Sequence, residues 1–385
     1  MAMERTAGAR KRMMKMERKS SMASSYSLTP KEDIIKLAKN VLEQIEKLEN
    51  PDIKLPIRTL SNIYFDEKQN LIRLGGKMSH RTYLNVAHTR KFMQTLMVAA
   101  ECKKIIDQGV TISIRDLYYA LKRTIPETKE NTFDEQEESD PILEDLEAAL
   151  NTLRERLHLK ADRKGYLAGP LMINDSGDEI DASRMGSSGW AIPSNVEPEI
   201  IKLDSHADFV LVVEKDAVWQ RLNEDKFWRK HNCIIMTGKG QPDRGTRRMI
   251  NRLHNEFKLP VYVLTDSDFW GYYIYSVIKQ GSINLSFLSD RLGTPSAKFI
   301  GLTTRDVEKF KIPKNVTIKL NQGDIKRGNE LLNYIWFKPK EWQDELNNML
   351  KVGYKLELEA LTAKGVTFIS EKYLPQKIKE KDFLP

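Results

Sequence analysis

Three acids in the second half of this chain, Glu214, Asp266 and Asp268, have the type and spacing to hold a metal ion. The runs Phe209-Val210-Leu211-Val212-Val213, Cys233-Ile234-Ile235-Met236 and Val261-Tyr262-Val263-Leu264 are short and continuously apolar, and each ends in polar groups. Glu214 follows the first, Thr237-Gly238-Lys239-Gly240 the second, and Asp266-Ser267-Asp268 comes after the third. Unbroken apolar runs of this length are the pattern of strands buried on both faces of a parallel sheet, and the carboxyl ends of such strands form the ligand crevice. The three acids are therefore expected on one edge. Hard carboxylates without His or Cys favour Mg²⁺ or Mn²⁺, and Mg²⁺ fills most of its shell with water and phosphate oxygens. The inferred substrate is a phosphate ester. Any one of these acids could equally cap the helix after its strand; three at related strand ends favour the metal site.

The glycine-rich turn Thr237-Gly238-Lys239-Gly240-Gln241-Pro242 lacks the spacing and the Lys-Ser/Thr pair of a nucleotide-binding P-loop. No ATP site is expected on this chain. Lys239, Arg244, Arg247 and Arg248 around that turn, and Arg163 and Lys164 further upstream, are candidates to contact a DNA backbone, although a solvated basic face explains such residues equally well. A second constellation lies in the first half. Arg115 and Tyr119 are four apart in an expected helix and share one face, whereas Tyr118 is turned about 100° away. A guanidinium could there hold a phosphate beside a phenol, which needs such help to act as a nucleophile. From spacing alone, Tyr118 and Tyr119 read more simply as core aromatics.

The elements that must position these groups follow from pattern. Residues 1–19 hold seven basic and two acidic side chains, most of the net charge of +8, and residues 1–27 show no apolar periodicity, so a disordered basic arm is expected there. The imbalance suits a polyanionic partner. Lys31 to Glu49 reads as an amphipathic helix and Ile63 to Leu74 as a hairpin. A helix from Asn85 to Gln108 ends at Gly109; Ser113 with Asp116 forms a capping box for a short second helix, and Pro141 to Leu157 is a third. Leu157 to Ala168 reads as a hairpin with the basic tip Ala161-Asp162-Arg163-Lys164-Gly165. Three helices and a basic hairpin suggest a winged helix. Glycine and serine concentrate between Asp175 and Pro193, as in a linker, and beyond it strands alternate with helices as in an α/β fold with a parallel sheet.

The expected organisation is a multidomain α/β chain. Residues 1–27 form the arm, 28–85 an N-terminal helix and hairpin extension, 86–174 the winged-helix domain, 175–195 the linker and 196–385 the parallel-sheet domain. Helical packing, and a dimer surface, are expected around Trp336 and Trp342. At 385 residues such a chain buries roughly three quarters of its unfolded surface and needs no disulfide staples. Two cysteines, Cys102 and Cys233, fit a reducing compartment and exclude a cysteine-based zinc site. No apolar run is long enough to span a bilayer, and the N-terminus lacks the apolar stretch of a secretory signal.

The segments Arg115-Asp116-Leu117-Tyr118-Tyr119, Val213-Glu214-Lys215-Asp216-Ala217, Thr237-Gly238-Lys239-Gly240-Gln241-Pro242-Asp243 and Asp266-Ser267-Asp268-Phe269-Trp270-Gly271 resemble, in order and spacing, the A-subunit family of DNA topoisomerase VI. The resemblance runs from about residue 30 through Tyr373-Leu374-Pro375-Gln376-Lys377-Ile378. It implies a winged-helix (CAP-like) domain followed by a toprim domain. Tyr119 would be the nucleophile that forms a 5′-phosphotyrosyl bond, with Arg115 assisting at the scissile phosphate. Glu214, Asp266 and Asp268 would hold Mg²⁺. The resemblance also implies double-stranded DNA as substrate and a homodimer in which tyrosine and metal site of one centre come from different protomers. A separate ATP-binding B subunit would complete an A2B2 enzyme in the cytoplasm, associated with the nucleoid, and the helix from Lys31 to Glu49 would dock it. Phe269 departs from the family's usual proline, and the basic arm lies outside the resemblance. Two other readings are a recombination-initiating transesterase that cuts without relaxing DNA, and a non-catalytic DNA-binding protein with a vestigial metal site.

Overall fold

In the computed structural model, which describes residues 29–385, the helix α1 (Pro30–Glu46) opens with proline in its first turn, where a missing N–H costs nothing. The expected basic arm, 1–27, lies outside the described residues. α1 belongs to a first unit made of residues 29–56 and Met78–Lys160; a second unit holds Ile57–Lys77 and Ala161–Pro385. No helix among the described residues is long and apolar enough to cross a membrane.

In the first unit, β1 (Asp52–Pro56) pairs antiparallel with β2 (Met78–Thr82). The helix α2 (Val86–Gln108) is capped by the Asn85 side chain and ends at Gly109, whose φ of +65° suits a residue without Cβ. A two-residue strand, β3 (Ile112–Ser113), leads into α3 (Ile114–Leu121). The Ser113–Asp116 capping box forms as expected, with Ser113 Oγ accepting from Asp116 N–H and the Asp116 carboxylate accepting from Ser113 N–H, both at 3.0 Å. α4 (Gln136–Ala149) starts earlier and stops sooner than the pattern indicated. It absorbs Pro141 because Ile142, Leu143 and Leu146 bury behind it, and it ends where Asn151 turns to φ +47°. Val98, Leu117, Leu121, Leu146 and Leu157 share one core with Ile34 of α1.

The basic hairpin does not form. Its first arm, β4 (Leu159–Lys160), pairs in parallel with β3 of the first unit, whereas its second arm, β5 (Tyr166–Ala168), pairs antiparallel with a strand of the second unit's main sheet. Both arms find longer-range partners, and the chain passes from the first unit to the second at Lys160–Ala161. The glycine- and serine-rich stretch is also structured. β6 (Leu171–Asp175) and β7 (Asp178–Asp181) make a three-stranded sheet with a later strand at Ile201–Ser205, and β8 (Trp190–Ala191) pairs with β5. The hairpin Ile63–Asp66 with Leu71–Leu74 forms as expected but packs Ile72 into the core of the second unit.

With Ile201–Ser205 as β9, the main sheet adds β10 (Phe209–Val213), β11 (Cys233–Thr237), β12 (Val261–Leu264) and β13 (Lys298–Phe299). Its order is β8-β5-β11-β10-β12-β13, and β10 lies parallel to both β11 and β12. The crossover helices are α5 (Asp216–Glu224), α6 (Arg244–Phe257) and α7 (Phe269–Gln280). Every residue of β10 and β11 is buried, which explains the unbroken apolar runs. Three C-terminal helices follow, α8 (Gln322–Asn333), α9 (Lys340–Val352) and α10 (Leu374–Glu380). Trp342 of α9 is core, edge-on to Tyr272 and Phe299 with centroids 5.3 Å away in each case.

One buried ion pair ties α10 to this unit. Asp306 Oδ2 accepts from Lys377 Nζ at 3.0 Å, from Tyr373 OH at 3.0 Å and from Thr303 N–H at 2.9 Å, and both charged side chains are almost wholly buried. Asp306→Ala is expected to lower stability by about 3–5 kcal/mol because it strands a buried ammonium. Adding Lys377→Met should recover most of the loss, a pair of results that denaturant titration would read directly.

Candidate active site

In the main sheet β10 is the strand at which the chain reverses direction of travel: it runs first to β11 on one side and then to β12 on the other. Such a switch point opens a crevice outside the carboxyl ends of the strands, and Glu214 stands at the end of β10 itself. Register brings its partners level. Val213 lies opposite Thr237 of β11 and Leu264 of β12, so the turns carrying Lys239 and Asp266 both leave the sheet beside Glu214. Glu214 N–H donates to the Leu264 carbonyl at 3.0 Å, and Gly240 N–H donates to the Glu214 carbonyl at 2.8 Å. Asp266 N–H donates to Glu214 Oε2 at 3.4 Å. Asp268 caps α7, accepting from Gly271 N–H at 2.6 Å, so this acid does fill the capping role that each of the three could take.

Asp266 has both oxygens engaged. Oδ1 accepts from Leu358 N–H at 2.8 Å, and Oδ2 lies 3.0 Å from Lys215 Nζ, which also reaches Glu357 at 3.1 Å and Glu359 at 2.8 Å. Burial, with the charges of Asp266 and Asp268, pushes the Glu214 carboxyl up to about 8. Burial drives Asp266 up to about 6, against the Leu358 N–H and Lys215, and burial also raises Asp268. Burial opposes the charge on Lys215, yet the hydrogen bond from Lys215 to Glu359 and the charge of Asp266 prevail and hold its ammonium above the usual lysine range. The side chains as placed close no group of three acid, His or Cys ligands around a metal, among the described residues. The donor set nevertheless fits a divalent cation: three buried carboxylates resist shared ionisation on one edge, and the cations that favour their charged forms are themselves shared, Lys215 with Glu357 and Glu359 and Lys355 with Asp324. Lys215 was missed as a site residue, though it follows Glu214 directly. Glu357 and Glu359 were missed because they lie some 140 residues away in sequence.

Phe269, the departure from the family's usual proline, is wholly buried. A Cβ on Gly328 of α8 would come within 2.6 Å of the Phe269 ring, so the glycine makes room for the aromatic side chain and the turn keeps both aspartates.

The adjacent tyrosines of α3 have opposite environments. Tyr118 is 7% exposed, donates its hydroxyl to the Asp134 carbonyl at 2.8 Å and accepts from Lys122 Nζ at 2.8 Å. Tyr119 is 61% exposed, and Arg115, one turn earlier on the same face, is exposed as well. The core-aromatic reading thus holds for Tyr118 alone. Arg115 and Tyr119 belong to the first unit and the three carboxylates to the second.

The basic candidates separate too. Arg163 and Lys164 are exposed, with Lys164 Nζ donating to the Gln241 carbonyl at 2.8 Å. Lys239 lies 4.3 Å over the Tyr166 ring, and Arg244 is half-buried. Arg247 must be corrected: at 3% exposure it lies inside the unit, where its first-turn position on α6 turns it toward Ser282 rather than toward solvent. Arg248 is held by Glu197 at 3.0 Å.

Three stretches of the chain match known protein families. Residues 209–378 match the Toprim-domain family of topoisomerase 6 A subunits and Spo11, residues 90–159 match the family described as Type IIB DNA topoisomerase, and residues 164–207 match the All-beta domain in DNA topoisomerase VI alpha subunit. The A subunit of Type 2 DNA topoisomerase 6 from Pyrococcus horikoshii is 47% identical over 97% of this chain and 100% of its own length. The chain belongs to the family of topoisomerase 6 A subunits. The corresponding protein of Hyperthermus butylicus is 45% identical over 90% of this chain and 93% of its own. The A3 subunit of DNA topoisomerase 6 from Oryza sativa subsp. indica is 38% identical over 86% and 73%. The parallel sheet that carries Glu214, Asp266 and Asp268 is therefore the Toprim domain of a type IIB topoisomerase A subunit. The three strands Leu171–Asp175, Asp178–Asp181 and Ile201–Ser205 fall in the family's all-β segment, which is why the glycine- and serine-rich stretch is no linker.

Proposed function

We propose that this chain cuts and rejoins double-stranded DNA through Tyr119, with Arg115 beside the scissile phosphate and Glu214, Asp266 and Asp268 as the Mg²⁺ ligands. The observation that carries the reading is the split between neighbouring tyrosines. Tyr118 is spent on packing and on the Asp134 carbonyl, which leaves Tyr119 as the phenol that can meet a substrate. Tyr119 Oη attacks phosphorus, the bond from phosphorus to the 3′ oxygen breaks, and the phenol proton ends on that oxygen as a 3′-hydroxyl. The 5′ phosphate is left esterified to Tyr119. Exchanging one phosphate ester for another conserves the bond energy, so the reverse attack reseals the strand without a high-energy cofactor. Arg115 can hold a non-bridging oxygen through the transfer. Bound at the carboxylate edge, Mg²⁺ would neutralise charge developing on the phosphoryl oxygens.

In this proposal α2, α3 and α4 act as the winged-helix (CAP-like) DNA-binding part that presents Tyr119, and two copies of the chain supply the tyrosine and carboxylates of each centre in trans. ATP is bound by the B subunit of an A2B2 assembly. α1 suits that docking because Leu42 and Ile45, with Leu48 beyond its end, are exposed while Ile34 and Val41 face the unit's core. Replacing Leu42, Ile45 and Leu48 together with serine should abolish co-purification of the B subunit while leaving the melting temperature of this chain unchanged within about 2 °C. Retained co-purification would place the docking surface elsewhere.

The function is tested by incubating this chain and its B subunit with end-labelled duplex, Mg²⁺ and a non-hydrolysable ATP analogue, then resolving products on a denaturing gel. A 5′-linked protein–DNA adduct that requires Mg²⁺ and the B subunit is expected. An assembled, DNA-bound complex that forms no adduct would sink the proposal.

A further inference from the structure

The ammonium of Lys215 lies 3.0 Å from Asp266 Oδ2, 3.1 Å from Glu357 and 2.8 Å from Glu359. These partners are not alike. The Asp266 side chain is almost wholly buried, and its other oxygen is already taken by Leu358 N–H, whereas Glu357 and Glu359 are each about half exposed. A metal ion at Asp266 Oδ2 therefore competes with Lys215 for the same oxygen, and the same lysine already touches two acidic partners nearer solvent. Glu357 and Glu359 flank Leu358, the residue whose N–H fixes Asp266, so this perch is carried by the segment that positions the metal ligand.

We infer that Lys215 is a tethered counter-cation of the metal site. It neutralises Asp266 when no divalent ion is present and, when one binds, releases Asp266 while keeping Glu357 and Glu359, which it already touches. Charge balance is the reason: a divalent ion beside an ammonium within about 3–4 Å repels it, whereas an ammonium kept on the two outer carboxylates is still paired. The lysine thus competes with Mg²⁺ and is a positioning residue, holding the buried aspartate in place until the ion arrives. The inference rests on Glu214, Asp266 and Asp268 being the Mg²⁺ ligands.

Two variants of the full-length chain should move Mg²⁺ affinity in opposite directions, measured by calorimetry with Mg²⁺ alone. Lys215→Met removes the competitor: affinity is expected to rise about tenfold, and the metal-free melting temperature to fall. In Glu357→Gln/Glu359→Gln the outer perch is gone, the lysine stays on Asp266, and affinity is expected to fall about tenfold. Neither glutamate is a proposed metal ligand, so this second arm does not depend on the first variant folding well. Weaker Mg²⁺ binding in Lys215→Met, or shifts of the same sign in both variants, would overturn the counter-cation. A Glu214→Gln variant that binds Mg²⁺ as tightly as the wild-type chain would instead overturn the metal-site reading beneath it.

Discussion

Tyr119→Phe is expected to abolish the covalent DNA adduct. The substitution removes one exposed oxygen and nothing that packs, so DNA affinity and melting temperature should stay at wild-type values while adduct on a denaturing gel falls to background, a loss of at least about 10³-fold, as for removal of a catalytic nucleophile. Tyr118→Phe should do the reverse. It deletes the donor to the Asp134 carbonyl and the acceptor for Lys122 and so costs roughly 1–2 kcal/mol, yet the adduct still forms. Adducts that persist in Tyr119→Phe, or vanish only in Tyr118→Phe, would show that exposure has misidentified the nucleophile.

The second large effect concerns the carboxylate edge. Glu214 binds its proton more tightly in the folded chain, at about 8, than the ordinary glutamate value near 4.5. Folding therefore favours the protonated form. The contribution of Glu214 to metal-free stability is fully present below the unfolded value, declines as pH rises between about 4.5 and 8, and levels off above the folded value. Glu214→Gln removes the ionisation. At about pH 8.5 without metal the variant is expected to melt about 5 °C above wild type, on the order of 2 kcal/mol, and the difference should disappear near about pH 5. The same variant should lose site-specific Mg²⁺ binding and DNA cleavage together. A variant that melts below wild type at that alkaline pH would mean that the Glu214 charge is already compensated without a metal.

Much of this protein is written in local sequence. The apolar runs of β10, β11 and β12, the Ser113–Asp116 capping box, the Gly109 stop and the three acids at strand ends are all set by residues near one another in the chain, where periodicity, caps and φ preferences act directly. Family membership was legible for the same reason, since its motifs are short and contiguous. Other features depended on partners far away. The segments Leu159–Lys160 and Tyr166–Ala168 look like one hairpin, but parallel pairing to Ile112–Ser113 and a place beside β11 satisfied their backbone groups instead. Nothing local distinguishes an exposed Arg163 from an Arg247 turned inward. The two tyrosines are chemically identical in sequence; only the packing of α3 against its core, and the Asp134 carbonyl sixteen residues on, buried one and left the other to solvent. The Lys215 triangle is likewise tertiary, because it joins the end of β10 to a segment more than 140 residues later, and electrostatic pairing across such a distance leaves no periodic trace in the sequence.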